Sequence, residues 1–246
     1  PLFPDVRSYR ILRAFAGTRP LYTPGNTAGR KASRNFHVMD HAEQGLDGMV
    51  SIFGGKLTTY RLMGERTADK VCAKLGVTAP CRTAEEAIVP DPDEATLSRA
   101  AKYFPVQGIQ LMADRMGDDL TPVIERAEKA DSNPLLCECE MVSMAEIECV
   151  ARDASTHSLT DIRLRTRLGM GTCQGTFCSL RAVAALSEHD IPLEFSATDN
   201  ARRFLQERWG GLRPALWGMQ AREMELGRAV YAGTLNLDGA AHEQDC

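Results

Sequence analysis

The sequence predicts an α+β fold that is predominantly α, and three observations carry that prediction. The apolar run Met49-Val-Ser-Ile-Phe53 has strand character and stops at Gly54-Gly55. Beyond it, helix start and stop signals recur, with Ser143-x-x-Glu146 forming a capping box and Gly76 a helix stop. Two cysteine pairs, Cys137-Glu-Cys139 and Cys173-Gln-Gly-Thr-Phe-Cys178, fall between helical segments rather than within strands. The 246 residues suffice for one large domain or two smaller ones, and 25% charged with 43% hydrophobic residues is globular composition.

The elements follow in chain order. Leu57, Met63, Ala68, Val71, Cys72 and Leu75 share one helical face after the 49–53 strand, so a buried strand turns through two glycines into a helix ending at Gly76. Residues 77–133 read as helices on a connecting arm, with a charge balance of −5. There Thr121-Pro122 supplies an N-cap and first-turn proline for a helix through about Ala130. Residues 134–190 form a small, all-helical unit. Its first helix runs from the capping box to about Arg152, Thr160 caps a second that stops near Gly169, and a third starts near Cys178. The tail, 191–246, holds two amphipathic helices separated by Gly210-Gly211. Trp209 and Trp217 are expected to bury against the body of the chain, docking of a partner subunit being the other use for these helices.

Charge and targeting signals narrow the function. The net charge of −4 divides unevenly: residues 1–60 carry eight Lys/Arg against four acids, leaving −8 for the rest. A basic start on an acidic chain suits an anionic ligand such as a phosphate ester or dinucleotide, or is a solvated arginine face. With no Lys/Arg run interleaved with aromatics, nucleic acid is not an expected partner. No apolar stretch approaches the length of a membrane span or a secretory signal. The first residue is Pro1, so a longer parent polypeptide is expected.

Eight cysteines exceed what packing requires, yet they are too dispersed for a disulfide scaffold, so metal or redox-cofactor binding is the leading explanation. The pairs are separated by 33 intervening residues and can converge on one inorganic centre. Two ferric ions, two sulfides and four thiolates total a charge of about −2, which needs N–H donors and helix N-termini nearby. Gly169-Met-Gly171 supplies unencumbered backbone, and Arg163, Arg165 and Arg167 offer positive charge, though on a helix not all three can face one site. Spacing leaves zinc open as the alternative, despite a C-x-C bite that is tight for a tetrahedral ion. Cys72 and Cys149 read as packing residues, Cys81 and Cys246 as incidental.

The turn Phe53-Gly-Gly-Lys-Leu-Thr-Thr-Tyr-Arg61 is the other chemical signal. A strand entering a helix through paired glycines aims the N–H groups of about Lys56–Thr58 outward, as an anion or an electron-rich carbonyl requires. The same residues also suit an ordinary strand–turn–helix with a surface lysine.

Two resemblances sharpen these alternatives. Leu136-Cys-Glu-Cys-Glu140 together with Arg165-Thr-Arg-Leu-Gly-Met-Gly-Thr-Cys-Gln-Gly-Thr-Phe-Cys178 resembles the bacterioferritin-associated-ferredoxin-like [2Fe–2S] domain, in the C-x₄-C form fused to flavin dehydrogenases. That implies Cys137, Cys139, Cys173 and Cys178 as cluster ligands. Phe15-Ala-Gly-Thr-Arg-Pro-Leu21, Ser33-Arg-Asn-Phe36 and the Gly54–Thr58 turn resemble blocks of FAD-dependent glycerol-3-phosphate dehydrogenases, with 15 residues from Arg19 to Arg34 and 22 from Arg34 to Lys56. The resemblance implies that Arg19 and Arg34 contact substrate and its phosphate. It places Lys56 at the flavin–substrate junction as a catalytic residue, and has Gly54, Gly55, Lys56, Leu57 and Thr58 line FAD.

Phe204-Leu-Gln-Glu-Arg-Trp-Gly-Gly-Leu-Arg-Pro-Ala-Leu-Trp-Gly218 is similar to the end of the large subunit in the anaerobic branch of that family. On this resemblance, residues 1–76 are the C-terminal part of an FAD- and substrate-binding domain. Residues 77–133 are a helical connection, 134–190 the [2Fe–2S] domain and 191–246 a helical tail. The implied activity is oxidation of sn-glycerol 3-phosphate to dihydroxyacetone phosphate. Electrons would pass from flavin through the cluster to partner subunits (including an iron–sulfur subunit that anchors to the membrane) and finally to quinone. The implied location is cytoplasmic, or peripheral on the inner membrane through those partners. No G-x-G-x-x-G turn occurs, and none of His37, His41 and His157 is placed as the family's catalytic base, so both are expected upstream and this chain alone is expected to be inactive. An FAD-linked amino-acid or opine oxidase and a zinc-stabilised interaction module are the competing readings.

Overall fold

The computed structural model describes residues 4–18, 35–191 and 193–236. The chain separates into two units, one of Ala16–Ile88 and one of Pro1–Phe15 with Val89–Cys246. Among the described residues helix predominates, and the sheets are two small hairpins.

In the smaller unit, β1 (Phe36–Asp40) and β2 (Val50–Gly54) pair antiparallel, Phe36 opposite Gly54 and Asp40 opposite Val50. The chain leaves β2 through Gly54 at φ 82° and Gly55 at φ 77°. A Cβ on Gly54 would lie 2.7 Å from the Asn35 carbonyl oxygen, and one on Gly55 2.5 Å from Met63 Sδ. Backbone conformation and space therefore both demand glycine here. One turn of 3-10 helix, Leu57–Thr59, then feeds α1 (Tyr60–Leu75), which stops at left-handed Gly76 as its sequence predicts.

The buried strand and buried helix face expected here are not found. No residue of α1 is buried, and Ile52 on β2 is 36% exposed. Two strands and one helix cannot enclose an interior. Charge ties them instead, with Lys74 Nζ of α1 2.9 Å from Asp40 Oδ1 and 2.8 Å from Asp47 Oδ1.

The larger unit contains α2 (Glu94–Ala100), α3 (Val106–Met116), α4 (Leu120–Lys129), the hairpin of β3 (Leu135–Cys137) and β4 (Val142–Ser143), then α5 (Met144–Ala151), α6 (Leu159–Thr166), α7 (Cys178–Glu188), α8 (Ala197–Leu212) and α9 (Gly218–Leu235). The helix α5 packs on α4, α6 and α7, and α7 packs on α8. Met112, Val123, Ile124, Ile147, Leu159, Ile162 and Leu168 fill one continuous interior. Each large aliphatic side chain so buried contributes about 1.5–3 kcal/mol.

Several local expectations are corrected. The 134–190 segment is not all-helical, because β3 and β4 form a hairpin closed by left-handed Met141 at φ 53°. The cap of α6 is Ser158, boxed with Asp161, while Thr160 faces outward to Glu207 Oε1 at 3.0 Å. That helix stops near Gly169 as expected, with Arg167, φ 66°, as its left-handed cap. A 3-10 turn delivers the chain into α4 at Leu120, so Thr121 and Pro122 already lie in its first turn. The helix α8 continues through Gly210-Gly211 and breaks at Arg213–Ala215, where Pro214 withdraws a backbone donor. Gly211 serves close approach: a Cβ there would lie 2.4 Å from Arg13 Cζ, and Gly211 O accepts from Ala14 N–H at 2.8 Å. Trp217 is 81% exposed rather than buried, and Trp209 is half-buried under the Arg228 guanidinium.

Candidate functional site

Strand β3 ends on Cys137, and the turn after it carries Cys139. The loop after α6 carries Cys173, and α7 opens on Cys178. Three of the five non-glycine residues with positive φ among the described residues, Met141, Arg167 and Gln174, sit in these turns. Backbone held in sparsely populated conformations concentrates where a site dictates its direction.

The structure brings the four cysteines together as two interacting pairs, Cys137 with Cys178 and Cys139 with Cys173. The pairs sense each other electrostatically, Cys139 feeling Cys137 and Cys178 feeling Cys173. Among the described residues no three His, Cys, Asp or Glu side chains converge as ligands of a single ion. The four sulfurs thus interact in two pairs rather than as one set of four.

The Cys178 thiol donates to Cys137, and the N–H groups of Gly169, Glu140 and Cys139 add to it. Together they outweigh desolvation and push the Cys137 thiol down to about 6. Its partner Cys178 is raised, first by that same hydrogen bond and then by burial. The Cys173 N–H acts to lower Cys139, but desolvation, the Cys173 thiol and the charge of Cys137 leave it raised. Cys137 and Cys178 are each 1% exposed, whereas Cys139 reaches the surface.

The loop leaves no room for side chains beside the sulfurs. A Cβ on Gly171 would lie 2.3 Å from the Cys139 Cβ. Phe204 of α8 plugs the back of the loop, since a Cβ on Gly169 or Gly175 would fall 2.7 or 2.5 Å from its ring. Carbonyls of the loop are held by side-chain donors. Gln174 Nε2 donates to Met170 O at 2.9 Å and Gly171 O at 3.0 Å, and Thr176 Oγ1 to Cys173 O at 2.8 Å.

Arginines complete the cage, but not the three the sequence indicated. Arg167 does approach it, 2.8 Å from Glu140 Oε2, whereas Arg165 pairs with Asp153 and Arg163 lies over Phe204. Those that hold the cysteine turns come from farther away. Arg115 Nη1 donates to Glu140 O at 3.0 Å and its Nη2 to Met141 O at 3.2 Å. The same guanidinium is buried against Glu146, which also accepts from Ser143 N–H at 2.8 Å. Arg181 chelates Glu138 through two 2.7 Å bonds. Only the capping box, Ser143-x-x-Glu146, hinted at this arrangement.

At the other signal, Lys56 is extended, at φ −134° and ψ 157°, and caps the Leu57–Thr59 turn. Its N–H, expected to point outward, donates to Thr59 Oγ1 at 3.1 Å. Lys56, Leu57 and Thr58 are exposed, Leu57 to 87%. Arg19 and Arg34 lie outside the described residues. Cys72 and Cys149 are half-buried on their helices, Cys81 is exposed, and Cys246 also lies outside the described residues.

Comparison with curated proteins finds relatives along nearly the whole chain. It is 40% identical over 242 residues to one subunit of the anaerobic glycerol-3-phosphate dehydrogenase of Escherichia coli K12, covering 96% of this chain and 44% of that protein. The corresponding subunit from Haloferax volcanii is 39% identical, covering 96% of this chain and 40% of its own length. The mitochondrial glycerol-3-phosphate dehydrogenase of Mesocricetus auratus is 40% identical over 80 residues, 32% of this chain and 11% of that protein. The chain spans less than half the length of these relatives. No protein-family profile and no solved structure matches it.

Proposed function

We propose that this chain, similar over 96% of its length to subunits of anaerobic glycerol-3-phosphate dehydrogenases, is the C-terminal, electron-relaying portion of such an enzyme. The whole enzyme would oxidise sn-glycerol 3-phosphate to dihydroxyacetone phosphate. The observation that carries the relay is the meeting of Cys137, Cys139, Cys173 and Cys178 in a cage of inward N–H groups. The donor set fits a [2Fe–2S] cluster: thiols grouped in twos suit two irons with two thiolates each, better than four on one zinc. Bound there, such a cluster supplies one-electron chemistry between a two-electron flavin and later acceptors.

The chain's own residues have separable tasks. Cys137, whose thiol is lowered by its Cys178 partner and by surrounding N–H groups, is suited to present a thiolate. The N–H groups of Gly169, Glu140, Cys139 and Cys173 hold negative charge on the sulfurs. Burial of Cys137 and Cys178 keeps water from one side, while the exposed edge at Cys139 is the natural exit for electrons.

In the whole enzyme, Gly54, Gly55, Lys56, Leu57 and Thr58 are proposed to line FAD, with Lys56 at its junction with substrate. Arg19 and Arg34 would hold the phosphate, for which a guanidinium fork is suited. Electrons would leave through partner subunits toward quinone. Since no helix among the described residues is long and apolar enough to cross a membrane, membrane association would be through those partners.

Iron, zinc and acid-labile sulfide are to be measured on anaerobically purified chain, with an ultraviolet–visible spectrum. Two irons and two sulfides, bleached by reductant and lost in Cys137→Ser, are expected. One zinc without sulfide, persisting after anaerobic reconstitution with iron and sulfide, would overturn the relay.

A further inference from the structure

The tail helix α8 reaches into the cysteine cage. Arg208 Nε donates to Gln174 O at 2.9 Å and its Nη2 to Thr176 Oγ1 at 2.8 Å. From the other end of the unit, Arg10 Nη2 donates to Thr172 O at 2.8 Å. The two guanidinia therefore hold the carbonyls of the two residues that flank Cys173, Thr172 and Gln174. Both side chains also line a cleft of about 410 Å³ whose wall includes Cys139 and Cys173.

We propose that Arg208, seconded by Arg10, is a positioning and potential-setting residue of the cysteine site. Drawing the Thr172 and Gln174 carbonyls outward removes two negative dipole ends from the sulfur of Cys173 and fixes the loop on which its N–H points to Cys139. The guanidinium charges also stand beside a centre that becomes more negative on reduction, and so favour the reduced form. Burial opposes the charge on Arg208, while Tyr231 and Cys173 favour it, which places arginine and sulfur in one electrostatic field. A lysine could keep the charge but could not span both Gln174 O and Thr176 Oγ1.

The proposal rests on the cluster reading above, and its test separates the two. Arg208→Gln, Arg208→Lys and Arg10→Gln are compared with the parent in the whole chain, anaerobically reconstituted, by iron and sulfide content and by potentiometric titration followed by electron paramagnetic resonance. A parent chain that takes up no iron and sulfide overturns the cluster reading itself, and this proposal with it. With a loaded parent, Arg208→Gln is expected to keep its iron but shift the oxidised-to-reduced equilibrium about tenfold toward oxidised, about 59 mV for one electron. Arg208→Lys should recover at least half of that shift while altering the resonance, because the fork is lost. An Arg208→Gln centre loaded like the parent, with an equilibrium within threefold, overturns the proposal. So does Arg208→Lys shifting as far as the glutamine variant. Should Arg208→Gln lose its helicity, Arg10→Gln decides by the same threefold criterion.

Discussion

The two units hold their chemistry-bearing turns by opposite means. In the larger one, the cysteine loop rests on a closed interior running from Ala100 to Phe204. Its turns are pinned by buried arginine and by an aromatic ring wedged between two glycines. In the smaller one no residue of α1 is buried, and the Gly54-Gly55 turn is shaped by backbone conformation, two close contacts and a lysine held between two aspartates. Preorganised ligand geometry follows from a core that can bear the cost of unusual backbone; an exposed turn relies on glycine. The contrast predicts a large energetic response to mutation beneath the cysteines and small, pH-dependent responses in the hairpin.

The largest response is expected at Glu146. Its carboxylate is 0% exposed and meets the Arg115 guanidinium, itself 6% exposed. Glu146→Ala would strand that charge and also remove the Glu146 half of the α5 capping box, a combined loss of about 3–5 kcal/mol. Urea unfolding followed by circular dichroism measures it. A loss below about 1 kcal/mol would mean that water reaches Arg115 and that the core is less closed than its burial implies. The double change Arg115→Met with Glu146→Leu should recover most of the stability yet still loosen the Glu140–Met141 turn, visible as lower iron content.

Gly171→Ala should come next. The new methyl would lie 2.3 Å from the Cys139 Cβ, too near for any rotamer change to relieve. Overpacking of this kind costs about 1–3 kcal/mol. The sharper expected outcome is local: iron uptake falls at least tenfold while helicity persists, because only the relation of Cys139 to Cys173 is spoiled. Parent-like iron content in Gly171→Ala would show that the loop yields and that its glycine is not what shapes the cage.

How far the sequence revealed these features depended on how local their causes are. The Gly54-Gly55 turn, the Gly76 stop, the Ser143–Glu146 box and the start of α7 at Cys178 were legible, because each is decided by neighbours within one turn of chain. The four cysteines stood out through their spacing alone. Arg10, Arg115 and Arg208 did not, because nothing near them in sequence marks an arginine that will donate to a carbonyl 162, 25 or 34 positions away. The α6 cap is Ser158 rather than Thr160, although both precede the same apolar run, and Thr160 instead donates to Glu207. Gly210-Gly211 looked like a break but is a place where Arg13 crosses a helix, which periodicity cannot distinguish.

The smallest effect is expected at Lys74, and it is the one that pH can dissect. Lys74 and Asp40 are 21% and 22% exposed, Asp47 86%. The Lys74 hydrogen bonds hold both carboxyls below their ordinary value, and the aspartates raise the lysine. A depressed carboxyl contributes stability that is present above its unfolded value, about 3.9, and is lost as pH falls through the lower folded value. The raised lysine contributes below about 10.4 and is lost above its folded value. Lys74→Met should therefore loosen the hairpin at pH 7 and make almost no difference near pH 2, where the parent has lost the same interaction. Hydrogen exchange on peptides spanning Phe36–Gly54, corrected for intrinsic rates, reads this directly. Should the variant exchange faster by the same factor at both pH values, the lysine's aliphatic stem rather than its charge would be what joins α1 to the strands. The smaller unit would then be held by packing after all, and the contrast with the cysteine unit would become one of degree.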